Sequence, residues 1–150
     1  RSLSELESHD LLPFDALKLQ LSAIMTAHIS FINIDKEIAT FSKFWLQDIL
    51  RNKMKFTGTI FSDDLSMKGS DYVGGIEAKV GKALESGCNM VLVCNDRPAA
   101  LEAINFLEKE KISQSHKITK LKASQSISWT DLEKDARRKD IIGKLNTIEK

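Results

Sequence analysis

Three short apolar runs divide this chain, and each gives way at its C-terminal end to polar side chains. They are SAIMTAHI at residues 22–29, GTIFS at 58–62 and NMVLVCN at 89–95. None alternates apolar and polar residues as a half-exposed strand would. That pattern predicts strands covered on both faces, as in parallel sheets. The intervening segments carry helical spacing. Residues 11–21 form one, with Asp10 as N-cap and Pro13 early enough to be tolerated. In the next, Ser42 caps a segment whose Phe44, Trp45, Ile49 and Leu50 make one apolar face. Residues 72–86 are helical through Ile76, Val80, Ala83 and Leu84, with Gly74, Gly75 and Gly81 calling for close packing against a strand. Gly87 is the C′ residue of that helix, and Pro98 opens a further helix over 99–110. Residues 31–41 have no clear period and read as a connecting loop. Strands alternating with helices mean βα units around a parallel sheet.

In such folds ligands lie outside the carboxyl ends of the strands. Here those ends carry Thr26 and His28, then Ser62, Asp63 and Asp64, then Asn95 and Asp96. The convergence predicts a site. A carboxylate there can be a nucleophile, a general base, a metal ligand or a helix cap. Magnesium held beside a phosphoacceptor, as in receiver domains, is disfavoured by the order. The acidic pair lies mid-chain, with no third acidic strand end and no strand-end lysine after it. Glycosyl transfer to a carboxylate is the competing chemistry. Asp63 follows an apolar strand directly, which gives the rigidity a nucleophile needs.

Composition narrows the class. The 150 residues carry a net charge of +1, so no whole-molecule field draws nucleic acid or an anionic membrane. No apolar stretch approaches the ~20 residues that span a bilayer. The two cysteines, Cys88 and Cys94, have neither zinc nor CxxC spacing and read as buried thiols of a reducing compartment. No signal peptide is visible. Residues 111–150 turn lysine-rich and amphipathic without a strand, and TDLE at 130–133 reads as a capping box opening a last helix to about Ile148. The expected organisation is partial barrel units over 1–110 and a helical extension over 111–150 packing on them.

One long stretch is more specific. ATFSKFWLQDILRNKMKFTGTIFSDDLSMKGS, residues 39–70, closely resembles the bacterial β-N-acetylhexosaminidases of glycoside hydrolase family three, the cytoplasmic peptidoglycan-recycling type. LPFDAL at 12–17, AIMTAHI at 23–29 and SGCNMVLVCNDRPAA at 86–100 match in the same order. The resemblance implies the C-terminal part of a (β/α)₈ TIM barrel, with about three parallel strands and extra C-terminal helices. It implies Asp63 as nucleophile, Met67 as a lining of the sugar pocket, and Asp64 and His28 as supports. For His28 a hydrogen-bonded structural role at the strand end is preferred. No metal and no organic cofactor are implied. The implied substrates are muropeptides bearing terminal N-acetylglucosamine (GlcNAc), in the cytoplasm.

A full barrel of this kind takes about 250 residues. The family's histidine–aspartate acid/base pair and most of its sugar-gripping residues belong to the first half of the barrel. His9 is not their substitute, because LESHDLLPF matches the helix after the acid/base loop. The chain alone is therefore expected to be inactive, or to act with a missing N-terminal barrel half or by self-association. Local departures exist as well: the family usually has proline near Ile38 and Lys43 and glycine near Lys55.

Overall fold

A computed structural model of the chain describes residues 1–123 and 125–148. Its centre is a three-stranded parallel sheet in the order β1–β4–β5, built from Ala23–Met25, Thr59–Asp64 and Met90–Leu92. β1 pairs with β4 through Ala23–Thr59, Ile24–Ile60 and Met25–Phe61. The parallel α/β arrangement expected from the three apolar runs is present.

The strands differ from the sequence expectation at their ends. β1 and β5 are only three residues long, whereas β4 runs on to include both aspartates. Between the pairs Phe61–Met90 and Asp64–Leu92, two residues of β4 face one of β5. This is a β-bulge, which re-aims side chains at the end of a strand. Ser62 repairs the ladder there, because its buried hydroxyl accepts the Leu92 N–H at 2.9 Å.

One face of the sheet is dry. Ile60 and Ser62 are fully buried beneath α3 (Ile76–Ser86), α4 (Arg97–Lys109) and the helix Phe44–Lys53. The expectation that the central strand is covered on both faces holds fully on this side and, on the other, only at Thr59. Met25, Phe61 and Met90 stand in register on the other face, where Phe61 is half-buried and both methionines are exposed.

Phe44–Lys53 winds as a π-helix, closed by the Met54 N–H on the Ile49 carbonyl. Its Trp45, Leu46, Ile49 and Leu50 all lie in the core. Ser42 accepts the Trp45 N–H as expected of a cap. Beyond the helix, Lys55 takes the left-handed conformation at φ 60°, near the position where the family usually has glycine. Arg51 braces the root of the sheet, donating to the carbonyls of Phe56 and Gly58 and to the Asn89 side chain.

Several local expectations are corrected. Asp10 does not cap the second helix; α1 is Leu3–Ser8, α2 is Leu12–Leu17, and Asp10 pairs with Arg1 instead. The stretch 31–41 is not a loop but an antiparallel hairpin, β2 (Ser30–Phe31) and β3 (Asp35–Ile38), followed by a 3₁₀ turn at Ala39–Phe41. The helix expected over 72–86 splits at Gly74 into a 3₁₀ segment, Lys68–Val73, and α3. Gly81 packs against Phe106 of α4 rather than against a strand. Gly87 does end α3, at φ 125°.

Further along, α4 begins at Arg97 behind an Asp96 cap, so Pro98 is its second residue. Ser128, not Thr130, caps α6 (Trp129–Lys134), and the chain breaks at Asp135 before α7 (Ala136–Ile148). The short α5 (His116–Thr119) reaches the sheet, with the Lys117 ammonium on the Thr57 carbonyl at 2.7 Å. Among the described residues no helix is long and apolar enough to cross a membrane.

Candidate functional site

The three strand ends converge, though not through all the residues the sequence nominated. Asp63 sits in the bulge with both carboxylate oxygens held by backbone donors. Oδ2 accepts the His28 N–H at 3.2 Å and Oδ1 accepts the Asp64 N–H at 2.9 Å. Its own N–H donates to Thr26 Oγ1 at 3.0 Å, and Thr26 is tied in turn to the buried Thr40 hydroxyl at 2.9 Å. The end of β1 therefore cradles Asp63 from the side. Each carboxylate oxygen keeps a further lone pair for another partner.

Asp64 is placed differently. Its Oδ1 accepts the N–H groups of Ser66 and Cys94, each at 3.0 Å, and the Ser66 hydroxyl reaches both of its oxygens. Burial alone would raise the Asp64 carboxyl. The Cys94 and Ser66 N–H groups, the Ser66 hydroxyl and the nearby His28 ring outweigh it and hold the carboxyl below its ordinary value of 3.8. A carboxyl so held is a poor proton donor near neutrality and a good clamp between β5 and the loop after β4.

A depressed folded-state pKa gives stability that is fully present above the unfolded value and is lost as pH falls through the folded one. The clamp should therefore begin to weaken as pH falls toward 3.8 and be lost below it. In Asp64→Asn that acid component should vanish from a urea-unfolding series taken between about pH 2 and pH 6. The variant should also be less stable than wild type at neutral pH, because the neutral amide loses the charge that strengthens these bonds and its NH₂ cannot accept the Ser66 hydroxyl as Oδ2 does.

His28 bridges the two aspartates. Its backbone holds Asp63, and its Nε2 lies 2.9 Å from the Asp64 carbonyl oxygen. A carbonyl only accepts, so Nε2 carries the proton. Nδ1 is buried without a partner among the described residues. The ring lies beside Phe41, with centroids 6.0 Å apart. Gly69 presses against it, and a Cβ there would sit 3.0 Å from the His28 Cβ. This close approach folds the loop carrying Met67 over His28. Met67 itself is 47% exposed at the rim.

Asn95 and Asp96 do not join the cluster. Asn95 turns the chain at φ 57°, and Asp96 caps α4 by accepting the Ala99 N–H. The contribution of the segment after β5 is the backbone N–H of Cys94. Cys94 is exposed, contrary to the expectation of two buried thiols, because β5 ends at Leu92 and leaves it in the strand-end loop. Cys88 is buried as expected, and burial pushes its thiol up to about 12. Sequence reasoning also missed Ser66 and Thr40, whose hydroxyls complete the network. Among the described residues, no three His, Cys, Asp or Glu side chains gather to hold a metal ion.

Comparison with known proteins gives the family. The glycosyl hydrolase family 3 N-terminal domain matches residues 1–124. A β-hexosaminidase of Idiomarina loihiensis is 41% identical over 141 residues, which are 91% of this chain and 42% of that protein. One of Haemophilus influenzae is 39% identical over 157 residues, covering 99% of this chain and 44% of that protein. The chain thus spans less than half the length of these curated relatives. A crystal structure of NagZ from Neisseria gonorrhoeae in complex with N-trifluoroacetyl-D-glucosamine superposes with a TM-score of 0.69 at 36% identity. That match covers 84% of this chain and 36% of the other. With a family match over most of its length and the same arrangement of strands, the chain belongs to the glycosyl hydrolase family 3 N-terminal domain family.

Proposed function

We propose that this chain supplies the nucleophile-bearing part of a retaining β-N-acetylglucosaminidase. The observation that carries the reading is Asp63, held at a strand end by backbone donors on both carboxylate oxygens. One Asp63 oxygen attacks the anomeric carbon of a terminal β-linked GlcNAc while the bond to the leaving oxygen breaks. A proton donor completes departure, and water then hydrolyses the glycosyl ester with retention.

That donor is not found among the described residues near Asp63. The Asp64 carboxyl is saturated and depressed, and His28 Nε2 is committed to a carbonyl. The acid/base belongs to the remainder of the barrel, as the family resemblance implies. Met67 lines the sugar pocket, while Asp64 and His28 support the strand ends. The substrate class is GlcNAc linked to 1,6-anhydro-N-acetylmuramic acid in muropeptides, processed in the cytoplasm during cell-wall recycling. The β-hexosaminidase relatives support this reading, as does the glucosamine derivative in the Neisseria structure.

That no proton donor stands beside Asp63 among the described residues also favours a second reading, in which the chain is non-catalytic or acts as one half of a split barrel. A single experiment separates the two. The purified chain is assayed on 4-nitrophenyl N-acetyl-β-D-glucosaminide, alone and mixed with the part of a curated relative that precedes the matched region. The expected result is no turnover alone and turnover on mixing, lost again in Asp63→Ala. Normal turnover by the chain alone would overturn the requirement for a second half. A folded, assembled mixture that leaves the glycoside intact would favour the non-catalytic reading.

A further inference from the structure

Lys79 is a buried cation that the proposed reaction does not use. It is the fourth residue of α3, near the helix N-terminus, where the helix dipole disfavours positive charge. It is nevertheless only 6% exposed. A residue that breaks a local rule while buried is held there by something else in the fold.

The partners of Lys79 all lie in the segment that follows Asp64. Its ammonium donates to the Leu65 carbonyl at 3.0 Å and to Asp71 Oδ1 at 2.7 Å. The Leu65 carbonyl also accepts the hydroxyl of the fully buried Ser70, while the Leu65 N–H donates to Leu92 of β5. Ser70 reaches the Met67 carbonyl as well, at 2.7 Å. The turn from Leu65 to Asp71 is thus drawn inward onto one ammonium group, and Met67 is at its crest.

We propose that Lys79 is a positioning residue that fixes the loop after β4, and through it sets the grip of Met67 on the sugar. The second half of this statement rests on the hexosaminidase reading of the site. The first half does not. Asp71 is largely exposed, so the ion pair alone would be weak. The charge-assisted bond to a buried carbonyl gives the tether its strength. Methionine is close to lysine in length and is compatible with a dry site, so Lys79→Met removes the tether while keeping the packing.

Hydrogen exchange on the chain tests the tether. In Lys79→Met the amides of residues 65–71 should exchange about tenfold faster, while those of Ile60 and Val80 stay within about twofold of wild type. Lys79→Arg, which can reach both partners, should restore protection. Asp71→Asn should loosen the loop in the same direction but less, and it serves in place of Lys79→Met if that variant does not fold. In the assembled enzyme, KM for the nitrophenyl glycoside should rise about tenfold in Lys79→Met with kcat changed by less than about threefold.

Unchanged loop exchange, or protection lost evenly across the chain, overturns the proposal. A fall in kcat with KM unchanged overturns its link to the sugar. If the assembled wild-type enzyme cuts no glycoside, the hexosaminidase reading fails, and the exchange result alone decides the tether.

Discussion

Glycine in place of Asp63 should reduce turnover of the assembled enzyme by about three to five orders of magnitude without unfolding it. Among the described residues the carboxylate makes no ion pair; its fixed partners are two backbone N–H groups at the rim of the site. Water can replace it there, so the structural loss is small. The chemical loss is not, because a retaining enzyme without its nucleophile cannot form the glycosyl ester. Asparagine is a less clean replacement. Its single acceptor oxygen can serve only one of the two N–H groups and leaves its own NH₂ facing the other.

Two readouts separate nucleophile from support. Wild type stopped in acid during turnover should carry an N-acetylhexosaminyl adduct on the peptide containing Asp63, and Asp63→Gly should carry none. Azide occupies the space a deleted carboxylate leaves and can attack the same carbon. It should restore part of the turnover of Asp63→Gly and yield a glycosyl azide of inverted configuration. An Asp63→Gly enzyme as active as wild type would remove this residue from the reaction. An inactive variant that azide does not rescue would make its role structural.

The central sheet was readable because burial on a parallel sheet writes itself into side chains. Ile60 and its neighbours had to be apolar, and the polar residues that follow marked the strand ends. The hairpin at Ser30–Ile38 was not readable, because one of its strands is two residues long and the other is DKEI. Phe31, Ile34 and Ile38 do pack on the core, and the Ser42 hydroxyl donates to the Asp35 carboxylate, but three apolar residues at these spacings make no strand period. The π-helix was equally hidden. Apolar residues at 45, 46, 49 and 50 fit an α-helical face as well as a wider one.

Within the site the division follows the same logic. Asp63, Asp64 and His28 stood out as polar groups where an apolar run stopped. The Cys94 N–H and the His28 N–H could not stand out, because every residue but proline has such a group. Asn95 and Asp96 illustrate the converse error: polar residues at a strand end also make turns and caps, and these two do. Nothing in the sequence marks Lys79, since its partners, the Leu65 carbonyl and Asp71, are set by the tertiary path of residues 65–71.

Alanine at Gly58 should be the most destabilising single-methyl change in the sheet, costing about 2–4 kcal/mol in urea unfolding. Gly58 lies one residue before β4, where the strand leaves the core ring of Phe56. A Cβ there would fall 2.5 Å from Phe56 Cζ and 2.6 Å from the Ser22 carbonyl oxygen. The ring cannot swing away freely, because Phe56 is buried and the Arg51 guanidinium lies 5.4 Å from its centroid. Nor can the carbonyl yield without loss, because Ser22 O accepts the Thr59 N–H at 3.0 Å, the first link of the β1–β4 ladder. Gly58 O in turn receives Arg51 at 2.7 Å. The added methyl must therefore part the root of the two strands whose far ends hold Asp63. That shear should reach the site, where the contacts of Thr26 and His28 with Asp63 depend on the same β1–β4 register. In the assembled enzyme Gly58→Ala should lower kcat at temperatures where the chain is still folded by circular dichroism. A variant as stable as wild type would show that β1 shifts to admit the methyl, and that the register of β1 and β4 is looser than the ladder implies.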